Sequence, residues 1–180
     1  MEPTASAAPT DDYWVTWEQY FDLIERLAAL VYVSGRPFDH IVAIARGGLR
    51  VGDILSRILN TPLAVMAATS YRGPGGRHQG SLQLGSSLAM SSSGLGHRVL
   101  LVDDLADSGT TLETATQWLL SHHGIDLEEI ATAVIWVKAS SRFRPDFYAE
   151  YLEHSPWIHQ PFEKYETLTP QDLAKRLKLS

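Results

Sequence analysis

Arg98-Val99-Leu100-Leu101-Val102-Asp103-Asp104-Leu105-Ala106-Asp107-Ser108-Gly109-Thr110-Thr111 decides the reading of this chain. Its first half is a short continuous apolar run ending in two carboxylates, the pattern of a strand buried on both faces. Its second half opens a helix whose apolar stripe begins at Leu112, Ala115 and Leu119 and which Gly124 stops. A strand feeding a helix through a polar turn is half of a βαβ unit. The turn then lies beyond the carboxyl end of a parallel strand, where ligands of open α/β sheets bind.

The turn itself has a chemistry. Ser108, Gly109, Thr110 and Thr111 sit at a helix start, where backbone N–H groups and the positive end of the dipole face an anion. Asp103 and Asp104 can accept hydrogen bonds from neighbouring sugar hydroxyls and attract a divalent cation. A phosphate site and a hydroxyl-pair site in one turn describe a phosphorylated pentose. Three acids at one strand end repel one another unless a cation or hydroxyls engage them.

The pattern continues outward in both directions. Upstream, Ile41–Ala45 is another apolar run, followed by the turn Arg46-Gly47-Gly48 and a helix marked by Ile54, Leu55, Ile58 and Leu59. Leu63–Thr69 reads as a further strand. Before these, Thr16 caps a helix with Gln19 as its capping-box partner, and Tyr20, Leu23, Ile24, Leu27 and Val31 give it an apolar face up to Gly35. Downstream, Ile130–Val137 is a strand ending at Lys138, residues 143–165 read as an irregular aromatic stretch, and Thr169-Pro170 opens a last helix. Residues 72–97, rich in glycine and serine, read as a long loop holding at most a short hairpin around Leu82 and Leu84. The alternation predicts an α/β fold, a mostly parallel twisted sheet flanked by helices.

Composition narrows the classes. The 180 residues carry a net charge of −6, which argues against a nucleic-acid or membrane-surface binder. No cysteine is present, so neither disulfides nor thiolate metal sites exist. The longest apolar run, Leu27–Val33, is far shorter than a bilayer span. Residues 1–12 lack the basic and apolar parts of a secretory signal and read as a flexible leader, so a cytoplasmic protein is expected. There is no Walker A motif. An acidic pair also occurs in receiver domains, but there it lies on the first strand, and a phosphoacceptor aspartate ends a later one; here the later run ends in Val137-Lys138.

The stretch 99–111 resembles the 5-phosphoribosyl-1-pyrophosphate motif of type I phosphoribosyltransferases. The resemblance extends over roughly residues 38–163 and is strongest to the bacterial xanthine-guanine enzymes of that family. Ala45-Arg46-Gly47-Gly48 matches the family's pyrophosphate loop, Thr69-Ser70-Tyr71 the opening of its mobile loop, Lys138 its base-contacting lysine, and Pro156–Phe162 its base-covering segment. The resemblance implies a single domain over 13–180, with a mobile loop at about 70–97 and a small hood at about 140–165. It implies Asp107 as catalytic base; Asp103, Asp104, Ala106, Asp107, Ser108, Gly109, Thr110 and Thr111 around the ribose 5-phosphate; and Arg46, Gly47, Gly48, Ser70, Tyr71 and Arg77 around pyrophosphate. Lys138, Trp157 and Ile158 would hold the base, and Asp104 a Mg²⁺ ion. A non-proline cis peptide is expected in the pyrophosphate loop, at Arg46–Gly47. The implied reaction moves phosphoribose to xanthine, guanine or hypoxanthine in a homo-oligomeric enzyme. A non-catalytic regulatory protein that binds the same sugar phosphate is the second reading. Two departures are visible: residues 72–98 offer only Arg72, Arg77, His78, His97 and Arg98 as basic groups, fewer than the family's loop carries, and the leader and C-terminal helix fall outside the match, with His159 and Phe162 as local variations.

Overall fold

The computed structural model describes residues 12–70 and 82–179. In chain order the elements are β1 (Asp12–Trp14), α1 (Trp17–Val33), β2 (His40–Ala45), α2 (Gly47–Ile58), β3 (Leu63–Ser70), β4 (Leu82–Ala89), β5 (Arg98–Ala106), α3 (Thr110–His123), β6 (Glu129–Lys138), β7 (Phe147–Leu152), β8 (Trp157–His159), α4 (Lys164–Thr167) and α5 (Pro170–Leu177). They form two compact units, one of Leu23–Ser155 and one of the residues through Asp22 together with those from Pro156 onward. The expected hood, 140–165, is divided between the two.

The larger unit holds a six-stranded sheet in the order β4-β3-β2-β5-β6-β7. Every neighbouring pair is parallel except β3 with β4. The central strands are buried on both faces, as their unbroken apolar runs require. Successive side chains of a strand alternate between faces. Val42 and Ile44 of β2 and Val99 and Leu101 of β5 share a cluster with Leu112, Ala115 and Leu119 of α3. Ala43 points the other way, toward α2: a Cβ at Gly52 would overlap the Ala43 methyl and reach Leu63 Cδ1 at 3.3 Å. Helices therefore cover both faces, as the alternation of strand and helix predicts.

Two regions differ from the sequence expectation. Part of the stretch read as loop, 82–89, is the edge strand β4, whose half-exposed pattern explains its weak apolar signal. The aromatic stretch contains β7, the other edge, with Phe147 and Ala149 buried and their neighbours more open. The burial alternates only over Phe147–Glu150 and breaks at the exposed Tyr151, so periodicity alone did not mark the strand. A cross-strand lattice fixes β7: Asp146 Oδ2 accepts from Thr132 N at 2.9 Å and Thr132 Oγ1 at 3.0 Å, and Arg36 bridges Glu129 and Asp146. The fully buried Trp136 donates its indole N–H to Glu150 Oε2 at 3.0 Å.

In the smaller unit β1 and β8 pair in parallel. Trp14 stacks on His159 with ring centroids 3.8 Å apart, and Tyr20 packs edge-on to Phe162. Both expected helix caps form. Thr16 N donates to Gln19 Oε1 at 2.9 Å and Gln19 N to Thr16 Oγ1 at 3.2 Å; Thr169 and Asp172 make the same reciprocal box. Among the described residues no helix is long and apolar enough to cross a membrane.

Candidate active site

Three polar constellations end three adjacent strands. β5 lies between β2 and β6, so Arg46–Gly48 after β2, Asp103–Thr111 at the end of β5, and Lys138 ending β6 share one edge of the sheet. Ser70 closes β3, the next strand outward. Tyr71 and Arg77 lie outside the described residues.

The glycine loop is not a free turn. α2 begins at Gly47, directly after the N-cap Arg46, and Leu49 N donates to Arg46 O at 3.2 Å. The loop's amides therefore belong to a helix N-terminus, where unpaired donors and dipole both favour an anion. The cis peptide is Ala45–Arg46, not Arg46–Gly47 as the resemblance implied. The Arg46–Gly47 unit already belongs to the first helical turn, which needs a trans bond.

This loop lies against the acidic pair. A Cβ on Gly47 would come to 2.7 Å from Asp104 Cγ and 3.0 Å from Asp103 Oδ1; one on Gly48 would come to 2.9 Å from Asp103 Cα. Glycine admits this approach without displacing a neighbour. Asp103 is buried, and its Oδ1 accepts from Asp104 N at 2.9 Å. Burial pushes the Asp103 carboxyl well above the ordinary carboxylate range, and the neighbouring Asp104 charge pushes the same way, against the N–H bonds from Asp104 and Gly48. Asp104 is the more open of the pair.

Downstream, Gly109 is the N-cap of α3 with φ +83°, a left-handed value that favours glycine. Ser108 Oγ and Thr110 Oγ1 are 3.0 Å apart, and Thr110 N reaches Ser108 Oγ at 3.4 Å. Lys138 is a buried lysine, only 7 % exposed, whose Nζ lies 3.4 Å from Oδ1 of the 64 %-exposed Asp107. It is not a lysine extended into solvent. In the smaller unit, Trp157 is exposed on β8 and Ile158 is buried.

Sequence reasoning missed the turn 139–143, which backs the turn at Asp107–Ser108. Ser140 Oγ donates to Asp107 O at 3.2 Å and Arg142 N to Ser108 O at 3.1 Å. Only the spatial neighbourhood of β5 and β6 reveals these contacts; no local sequence signal carries them.

The donor set fits a magnesium ion. Among the described residues no three His, Asp or Glu side chains converge to cage a metal. Mg²⁺ does not ask for a cage: it is held by one or two carboxylates, with waters and substrate oxygens completing its shell. Asp104, beside the buried Asp103, supplies that kind of site.

Two helix N-termini thus flank an acidic pair on one edge of the sheet. The chain belongs to the phosphoribosyltransferase domain family, whose pattern matches residues 16–167, and with this fold it is a type I phosphoribosyltransferase, a transferase enzyme. It is similar to the xanthine-guanine phosphoribosyltransferase of Gluconobacter oxydans, at 28% identity over 170 residues, 93% of this chain and 95% of that protein. The corresponding protein of Chromohalobacter salexigens is 29% identical over 153 residues, 84% of this chain and 83% of the other. The crystal structure of a purine phosphoribosyltransferase from Pyrococcus horikoshii aligns with a TM-score of 0.68 at 28% identity, covering 88% of this chain and 99% of that one.

Proposed function

We propose that the enzyme transfers the phosphoribosyl group of 5-phosphoribosyl-1-pyrophosphate to a 6-oxopurine (xanthine, guanine or hypoxanthine) and releases pyrophosphate. The observation that carries this reading is the 3.4 Å pair of Lys138 Nζ and Asp107 Oδ1. A 6-oxopurine presents O6, an acceptor, beside N7, which carries a proton in the reacting tautomer. A cation next to a carboxylate complements that edge group for group. A 6-aminopurine would turn an N–H donor toward the lysine, leaving both unpaired. The names of the two curated relatives support a purine substrate as well.

Each remaining residue has a role that follows from its chemistry. The amides and hydroxyls of Ser108–Thr111 at the start of α3 anchor the 5-phosphate. Asp104, with Asp103 behind it, accepts hydrogen bonds from the ribose hydroxyls. Arg46, the amide of Gly47 and the close-lying backbone of Gly48 receive the pyrophosphate, with Ser70, Tyr71 and Arg77 as further donors. The family resemblance assigns Trp157 and the backbone at Ile158 to the base. A Mg²⁺ ion held by Asp104 would neutralise charge on the departing pyrophosphate. As that group leaves, positive charge grows on the ribose; oriented donors for the leaving anion are what lower the barrier. Asp107 takes the N7 proton as the base attacks C1.

The test is an assay of the full chain with Mg²⁺, the activated sugar and each of xanthine, guanine, hypoxanthine and adenine. Nucleotide formed from the 6-oxopurines and not from adenine is the expected result. Product from adenine alone, or from no base, overturns the reading.

A further inference from the structure

We propose that Ser140 is a positioning residue that aims the backbone donors of the 5-phosphate site. The inference rests on the function just proposed, because it assigns a ligand to the Ser108–Thr111 turn.

Two consecutive carbonyls of the phosphate loop are tied to the turn after β6. Asp107 O accepts from Ser140 Oγ at 3.2 Å, and Ser108 O accepts from Arg142 N at 3.1 Å. Neither peptide is cis. In a trans peptide the C=O and the N–H of the same unit point in opposite directions. The Asp107 carbonyl shares its unit with the Ser108 N–H, and the Ser108 carbonyl shares its unit with the Gly109 N–H. Pinning both carbonyls to one side therefore turns both N–H groups to the other, away from the turn. The fit is tight: a Cβ on Gly109 would stand 2.7 Å from Phe143 N and 2.8 Å from Ser141 Oγ.

Of the two ties, the one from Arg142 is main chain and survives any substitution but proline, whereas the Ser140 tie is a side-chain bond. Ser140 is itself held, accepting from Ser155 Oγ at 3.0 Å, so its own proton is directed at Asp107 O. The same turn also fixes the lysine, since Ser141 N donates to Lys138 O at 2.9 Å. One short turn thus braces both the phosphate loop and the residue assigned to the base. Ser140 touches neither ligand in this scheme; it acts through the Asp107–Ser108 peptide.

The experiment titrates ribose 5-phosphate and, separately, inorganic pyrophosphate into the wild-type chain, S140A and S140T by calorimetry with Mg²⁺ present. S140A should weaken ribose 5-phosphate by about three- to tenfold, the worth of one net hydrogen bond. Pyrophosphate, assigned to the loop at Arg46–Gly48, should change by less than about twofold, and S140T, which keeps the hydroxyl, should restore sugar-phosphate affinity. Ribose 5-phosphate affinity unchanged in S140A, or lost in step with pyrophosphate, overturns the inference and leaves the proposed function standing. A wild-type chain that binds neither ligand and makes no nucleotide brings down both.

Discussion

Lys138 Nζ and Asp107 Oδ1 stand 3.4 Å apart across the ends of β6 and β5, the lysine buried and the aspartate open. The arrangement keeps a buried cation partnered before a base arrives, which lowers the cost of holding it there. It also leaves a carboxylate facing outward, where a base can meet it. If Asp107 takes the N7 proton, Asp107→Asn removes the acceptor and keeps the shape. Its kcat should fall by about 10²- to 10⁴-fold, the usual span for a lost general base, with the KM for the sugar substrate within about threefold. Steady-state kinetics with guanine decide it; full turnover in the variant excludes Asp107 from the proton transfer.

Lys138→Met tests the other half of the pair. A hydrogen bond from a charged donor is worth about 1.5–3 kcal/mol, so kcat/KM for guanine should drop roughly 10- to 100-fold. The KM for the sugar substrate should stay within about threefold. An unchanged kcat/KM for guanine would remove Lys138 from base binding.

How far the sequence reaches is visible in particular residues. The buried strands β2, β5 and β6 are legible because a two-faced strand writes itself as an unbroken apolar run. The helix start at Ser108–Thr111 is legible because hydroxyl residues and glycine favour that place. β4 was not, because an edge strand with solvent on one side carries little apolar signal. The start of α2 at Gly47 was hidden by two glycines, which read locally as a turn and helical only in place against Asp103 and Asp104. The bracing by Ser140 is a contact between residues 33 apart in sequence, and periodicity says nothing about such pairs.

Gly47 and Gly48 should respond differently to alanine. At Gly48 the added carbon meets main chain, Asp103 Cα at 2.9 Å and Val102 C at 3.1 Å, which cannot step aside. Gly48→Ala should cost about 1–3 kcal/mol and lower Tm by about 2–4 °C for each of them. At Gly47 the carbon meets the Asp104 carboxylate, a side chain that can rotate. Gly47→Ala should therefore leave Tm within about 2 °C while displacing Asp104 and reducing turnover. Melting curves beside kinetics distinguish the two; equal loss of stability in both variants would contradict the packing.

Asp103 sets stability against activity, and its pH dependence has a definite sign. Burial, reinforced by Asp104, holds the Asp103 carboxyl well above the value it has in the unfolded chain. Between those two values the folded state keeps a proton that the unfolded state has lost, so stability falls as pH rises through that window. Asp103→Asn deletes the charge and keeps an oxygen to accept from Asp104 N, the bond seen at 2.9 Å. The variant should be more stable than the wild type near neutrality, by about 1 kcal/mol or 2–4 °C in Tm. The gap should shrink as pH falls through about 4 and vanish below it, where the wild-type carboxyl is neutral in both states. If Asp103 backs Asp104 at the ribose hydroxyls, as proposed, turnover should fall at the same time. Melts across that pH range are the measurement. A gap that stayed constant with pH would mean that Asp103 carries no buried charge, and its cost to the fold would have to be sought in packing instead.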